Sequence, residues 1–293
     1  MGQAELHLHL EGSVEKDTLR RLNATSVSYD FTDFAGFIES FKQVSRALRT
    51  PDDYACITEA LCSRLKAEDI TYAEITLAAG VVLWKQQDLP AIYEAARAAA
   101  LASDVEVLWN LDSIRHFGPD LAWQVARFAA TQTGNGVVSI GIGGDEVAGP
   151  AEWFRDVYRF AREQGLHLTA HAGETDGPAS VWSALEIGAE RIGHGIRATD
   201  DPVLVAHLAR HGIPLEVSIT SNVRTGAVAS LADHPVRKLF DAGVPITLNT
   251  DDPAIFGTTL AHEFELARTQ FGFTASELDQ LRANAWKYRF YSG

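Results

Sequence analysis

Eight short β-rich runs, each followed by a longer helical stretch, divide this chain from one end to the other and leave few ways to fold it. The runs fall at residues 4–9, 72–78, 105–112, 137–142, 166–171, 191–194, 215–219 and 246–249. Between them lie amphipathic or alanine-rich stretches such as 51–68, 89–102, 121–130, 151–163 and 202–211. A strand followed by a helix, repeated in this way, predicts an α/β protein built as a (β/α)8 TIM barrel with additional helices. A doubly wound open sheet would want a glycine-rich nucleotide turn after its first strand, and His7-Leu8-His9-Leu10-Glu11-Gly12 is not one. The tail, 274–293, reads as a further helix packed against the outside of the barrel. No Pro/Ser linker, low-complexity tract or internal repeat intervenes, so residues 1–293 are expected to form a single barrel domain. A composition of 46% hydrophobic and 22% charged residues supplies the large core such a barrel buries.

The chain carries 25 Lys+Arg against 39 Asp+Glu, a formal charge of −14. That balance does not suit coating nucleic acid or an anionic membrane, so the expected partner is a small molecule. Cys56 and Cys62 lie six apart in a helical stretch and cannot share one face, which argues against a disulfide and for a reduced compartment. Neither a leader pattern nor a membrane-length apolar run is present, and a soluble, cytoplasmic protein is expected.

In a barrel, catalytic groups project from the C-terminal ends of the strands, and the polar clusters of this chain fall there. His7 and His9, at i and i+2 on the first strand, point to one side, as two ligands of one metal require. The fifth strand ends in His171-Ala172-Gly173-Glu174, the sixth in Gly193-His194-Gly195 and the eighth in Asn249-Thr250-Asp251-Asp252-Pro253. Zinc takes imidazole nitrogen and carboxylate oxygen, and a catalytic site keeps one position open for water. His7, His9, His171 and one of Asp251 or Asp252 would make such a site.

Taken together, Glu5-Leu-His-Leu-His-Leu-Glu-Gly12, Gly143-Gly-Asp-Glu146, His171-Ala-Gly-Glu174, Arg191-Ile-Gly-His-Gly195, Thr220-Ser-Asn222 and Leu248-Asn-Thr-Asp-Asp-Pro253 resemble the adenosine deaminase branch of the amidohydrolase superfamily, in the family's order and over nearly the whole chain. Within it, Asp112-Ser-Ile-Arg-His-Phe-Gly118, Gly141-Ile-Gly-Gly144 and Val223-Arg-Thr-Gly-Ala227 look most like bacterial members that deaminate aminodeoxyfutalosine, an adenosine relative on an alternative menaquinone route. The resemblance implies a zinc-dependent hydrolytic deaminase of an adenine nucleoside, with one zinc ion per chain held by His7, His9, His171 and Asp251. It implies that Glu174 protonates the purine ring, and that His194 orients the attacking water, stabilises the developing charge or receives its proton. It further implies that Asp252 bonds a second ring nitrogen, that the Gly144 amide meets the ring, and that Glu11, beyond the ligand His9, reaches a ribose hydroxyl. The segment between the first strand and Phe31 is shorter than the family pattern, which bears on closure over substrate rather than on metal chemistry.

Aminodeoxyfutalosine carries an aryl carboxylate where adenosine has a terminal hydroxyl, so its site should supply a cation, ideally an arginine. Arg115 and Arg224 lead over Arg46 and Arg49 because each follows a barrel strand or a motif. Phe34, Phe37, Phe41 and Trp84 read either as walls of a purine pocket or as core. His116 stays open, while the remaining histidines read as surface or packing residues. Asp145 and Glu146 resemble a carboxylate pair, but adjacent strand residues point in opposite directions, and they are read as braces of the site. Ser221 and Asn222 lack a Gly-x-Ser-x-Gly elbow and read as a structural turn. Residues 137–144 contain no lysine to bridge two metals, and the His-x-Glu with Pro-Cys-x-x-Cys of the other zinc deaminases is missing. Two rival readings are an adenine deaminase or other mononuclear amidohydrolase, and a metal-binding protein without activity.

Overall fold

The computed structural model describes residues 2–291. Eight parallel strands lie in sequence order: β1 Gln3–His9, β2 Ile70–Leu77, β3 Glu106–Asp112, β4 Val137–Gly141, β5 His167–Ala172, β6 Arg191–His194, β7 Leu215–Val217 and β8 Ile246–Leu248. Each pairs in parallel with the next, which makes a (β/α)8 barrel ringed by helices. Helices cover the sheet outside and side chains fill it inside, so the strands have no solvent face and β4, β6, β7 and β8 are buried throughout.

The seam between β8 and β1 is made differently. A single bridge joins Leu8 to Asp251; the His9 amide donates to the Asp251 carbonyl at 2.7 Å and the Asp251 amide to the His7 carbonyl at 3.1 Å. Below it, Asn249 Oδ1 accepts from the amides of Leu6 and His7 at 3.0 and 3.1 Å. A register shift between Glu5 and Leu8 in the β1–β2 ladder inserts a bulge just where the two histidines emerge. Thus the seam includes three of the residues expected to hold a metal, His7, His9 and Asp251.

The expected helices form, with local punctuation setting their ends. Pro51–Ala67 begins with Pro51 in its first turn and a capping box in which Thr50 and Asp53 satisfy each other's backbone amides. The stretch 151–163 divides into a 3-10 turn, Ala151–Phe154, and an α-helix, Arg155–Glu163. The seventh strand stops at Val217 rather than 219 because Ile219–Arg224 is already helical.

The tail departs from expectation. Its helix, Ala275–Tyr288, forms, but the chain beyond it runs under the barrel instead of along its outside. Phe290 packs with Ala4, Leu6, Tyr72, Leu108 and Val138, near the N-terminal ends of four strands, and its carbonyl accepts from the Tyr72 hydroxyl at 2.7 Å. The bottom is therefore plugged, and the top carries the open cavity. Ser292 and Gly293 lie outside the described residues.

Candidate active site

At the C-terminal ends of the strands, His7, His9, His171 and Asp251 each turn one donor atom toward a common point, all within 4.8 Å of one another. His9 Nε2 lies 3.2 Å from His171 Nε2, and Asp251 Oδ1 lies 3.3 Å from both His7 Nε2 and His9 Nε2. His7 Nε2 is buried and has no hydrogen-bond partner. A buried imidazole nitrogen aimed at two more imidazoles and a carboxylate fits a divalent metal of the zinc class, whose preferred donors these are.

Groups behind the donors fix their orientation. Glu216 on β7 holds His7 Nδ1 at 2.7 Å, which leaves Nε2 to face inward. Glu216 in turn accepts from Arg191 Nε at 2.5 Å, and Arg191 also pairs with the buried Glu74. Burial opposes charge on Glu216, yet Arg191 and His7 hold its carboxyl below the usual range. Burial likewise opposes charge on Asp251, but His7 and His9 keep it well below; its second oxygen accepts from Ser221 Oγ at 2.6 Å. Both His194 and Asp251 adopt left-handed backbone, at φ 62° and 65°. For non-glycine residues this conformation costs ~1–3 kcal/mol and tends to collect at functional sites.

Glu174 sits beside the donors, its Oε2 3.6 Å from His194 Nε2. Burial first, then the charges of Asp251 and Glu146, push its carboxyl well above the ordinary range. Its position is fixed from behind by Glu146, which accepts from the amides of Gly173, Glu174 and Thr175 at 2.8, 2.9 and 2.8 Å and from the Ser180 hydroxyl at 2.5 Å. Asp252 is pushed well above its usual value by burial and by the neighbouring Asp251 charge. Gly144 adopts φ 93°, and a Cβ there would approach His116 Nδ1 to 2.8 Å, so glycine is required for both reasons.

A cavity of about 450 Å³ opens above these groups. Glu174, His194, Gly144, Asp252, His9 and His171 form its floor, and His116 lies on its wall. Phe34, Phe37, Phe41 and Trp84 also line it, with Trp84 stacked on Phe117 at 5.4 Å.

Three expected contacts, Arg115, Glu11 and Arg224, are not placed there. Arg115 is fully buried and does not line the cavity; its Nη2 donates to the His171 carbonyl at 2.5 Å, bracing a candidate metal ligand from behind. It turns inward because Glu146 and Asp112 lie within reach of its charge. Glu11 is likewise buried off the cavity, where its carboxylate accepts from the Ala78 amide at 3.2 Å and burial raises its pKa to about 7. Arg224 packs over Phe31 and bonds the Tyr29 carbonyl. Lys42 and Arg46, from the Phe34–Ala47 helix, are the cations that reach the cavity along with Lys85. Lys85 is already spent on the carbonyls of Ser45 and Leu48.

Sequence reasoning missed Glu216, Arg191, Glu74 and His234 as parts of the site's support. A signal existed for three of them: charged residues inside short, otherwise apolar barrel strands have nowhere to go but a buried network.

The fold and the floor of the cavity define an amidohydrolase barrel. The adenosine deaminase family model matches residues 2–293. An aminodeoxyfutalosine deaminase of Streptomyces coelicolor is 36% identical, over 98% of this chain and 80% of that protein. An adenine deaminase of Rhizobium leguminosarum bv. trifolii is 35% identical, over 98% and 94%. Among solved structures, an amidohydrolase from Burkholderia ambifaria with bound Zn superposes with a TM-score of 0.89 at 27% identity, over 99% of this chain and 86% of that one. The chain belongs to the adenosine deaminase family of metal-dependent aminohydrolases.

Proposed function

We propose that the chain uses one zinc ion to deaminate aminodeoxyfutalosine, replacing the 6-amino group of its adenine with a 6-oxo group and releasing ammonia. The observation that carries this reading is the shape and chemistry of the cavity: about 450 Å³, walled by aromatic rings, with Lys42 and Arg46 on the helix above. That volume lies in the range of ligands much larger than a bare purine. Its cations suit a carboxylate at the far end of such a ligand. His7, His9, His171 and Asp251 would hold the zinc, which supplies Lewis-acid activation of a water near neutral pH.

The remaining chemistry belongs to the chain. Glu174, kept as the acid by its burial, delivers its proton to the ring nitrogen next to C6 as water oxygen bonds to that carbon. His194, at the end of β6, directs Nε2 to the same space and holds the water oxygen. Asp252 and the Gly144 amide fix the ring by its other polar edge. One proton of the water passes to the amino nitrogen and the other returns to Glu174, so that the C6–N bond breaks with release of ammonia and the C6–O bond gains double-bond character.

The test is ammonia release by zinc-loaded protein given aminodeoxyfutalosine, adenosine and adenine separately. The highest kcat/KM is expected for the first. Glu174→Gln should retain zinc and lose ~10²–10⁴-fold in kcat, as removal of a general acid does. One placement favours adenine instead: Glu11 faces the Ala78 amide and offers nothing to a ribose. A preference for adenine over both nucleosides would make that second reading the correct one.

A further inference from the structure

Behind His194 runs a chain of hydrogen bonds whose direction can be worked out from one end. The Val236 backbone amide lies 3.2 Å from His234 Nδ1. An amide can only donate, so Nδ1 is the bare nitrogen and the His234 proton sits on Nε2. That Nε2–H faces Asn222 Oδ1 at 3.1 Å. With its oxygen so occupied, Asn222 must turn its NH2 the other way, where Nδ2 lies 3.0 Å from His194 Nδ1. Nδ2 can only donate, so His194 Nδ1 is an acceptor and its proton is on Nε2, the nitrogen that faces Glu174 and the cavity.

We infer that Asn222 and His234 are positioning residues that set the tautomer of His194, so that it always presents an Nε2–H donor to the water oxygen. The inference rests on the proposed role of His194 in deamination. Each member of the relay is buried: His194, Asn222 and His234 are 1%, 0% and 4% exposed. No bulk water therefore competes for the bonds. Asn222 cannot rotate out of register, because it sits in the Ile219–Arg224 helix, its amide bonded to the Ser218 carbonyl at 3.0 Å and its carbonyl accepting from Val228 at 2.8 Å. Burial also depresses the His234 pKa to about 3, so the ring stays neutral and its direction does not reverse across the working range of pH.

The relay lets a neutral imidazole act as a donor of fixed sense. Without it, either ring nitrogen could carry the proton, and the fraction with a bare Nε2 would repel the lone pairs of a water oxygen. A donor already aimed at developing negative charge costs no reorganisation when the charge appears.

The direct test reads the tautomer and needs neither metal nor turnover. In zinc-free protein labelled with ¹⁵N-histidine, long-range ¹H–¹⁵N correlation distinguishes the protonated from the bare ring nitrogen. His194 and His234 are both expected with the proton on Nε2. Asn222→Asp replaces the donor facing His194 with an acceptor and should move the His194 proton to Nδ1 or leave both nitrogens protonated. In the zinc-loaded form its kcat should fall by ~10²-fold, with kcat/KM falling in step and zinc content unchanged. His234→Gln keeps a donor toward Asn222 and should retain the wild-type His194 tautomer and most of kcat; His234→Phe removes the donor and should not. A His194 proton on Nδ1 in the unsubstituted protein, or an unchanged tautomer in Asn222→Asp, would overturn the inference. The expected tautomers in a protein that deaminates no adenine compound would support the relay and defeat the reading of the reaction instead.

Discussion

Glu216 decides which nitrogen His7 presents, and its own charge is held in place by Arg191. Converting it to glutamine keeps shape and an acceptor oxygen but removes the negative charge that makes His7 a stronger donor. Glu216→Gln is therefore expected to weaken zinc binding by ~10–100-fold while leaving the fold intact, measured by competition with a chromogenic chelator. An unchanged affinity would reduce Glu216 to a packing residue. What was legible in the sequence is placement: His7, His9, His171, Glu174, His194 and Asp251 emerge at strand ends, where the chain direction brings them to one end of the barrel. Arg115, ranked by its position after a strand, and Glu11, implied by the family resemblance, are expected on the substrate, and both turn away. Several rotatable bonds separate a long side chain's charge from its Cα, and the buried partner that captures it, Glu146 for Arg115 or the Ala78 amide for Glu11, comes from another element. The tautomer relay was illegible for the same reason, since it joins residues 194, 222 and 234 from three separate elements.

The helix Phe34–Ala47 is the element that separates this cavity from solvent. Phe34, Phe37 and Phe41 recur at helical spacing on its inner side, and Lys42 and Arg46 follow along the same edge. Phe37 stacks on Phe256 at 5.0 Å, which pins the helix to the short Pro253–Phe256 helix after Asp252. If its cations meet a carboxylate, Lys42→Ala with Arg46→Ala should raise KM for aminodeoxyfutalosine by roughly 10-fold or more. Adenosine, which lacks the carboxylate, should keep its kcat/KM. Equal losses on both would show that the helix closes the pocket without reading the ligand's charge. Elements as such were largely readable, because alternating strand and helix patterns are local. Their destinations were less so: the C-terminal tail runs beneath the barrel because Phe290 and Trp286 find apolar partners at the strand starts, a fit between surfaces that no local pattern records.

At the scale of the molecule, the proposed metal site and the weakest joint of the barrel coincide. Seven of the eight strand interfaces are ladders, whereas β8 meets β1 through one bridge, the Asn249 side chain and Asp251. His7 and His9 lie on one side of that joint and Asp251 on the other. A zinc ion held by them spans the seam, so binding should stabilise the barrel locally as well as overall. Free zinc at about 100 times its dissociation constant adds about 2.7 kcal/mol to the folded state. For a chain of this size that raises the melting temperature by roughly 4 °C. Hydrogen exchange should show where the gain falls. Removing zinc is expected to speed exchange at the His9 and Asp251 amides, which cross the seam, far more than at the β2–β3 ladder on the opposite side of the joint's neighbour strand. A uniform loss of protection around the barrel would mean that the ion stabilises the fold only through global linkage. A loss confined to the seam would show that the catalytic ligands also serve as the barrel's closing staple.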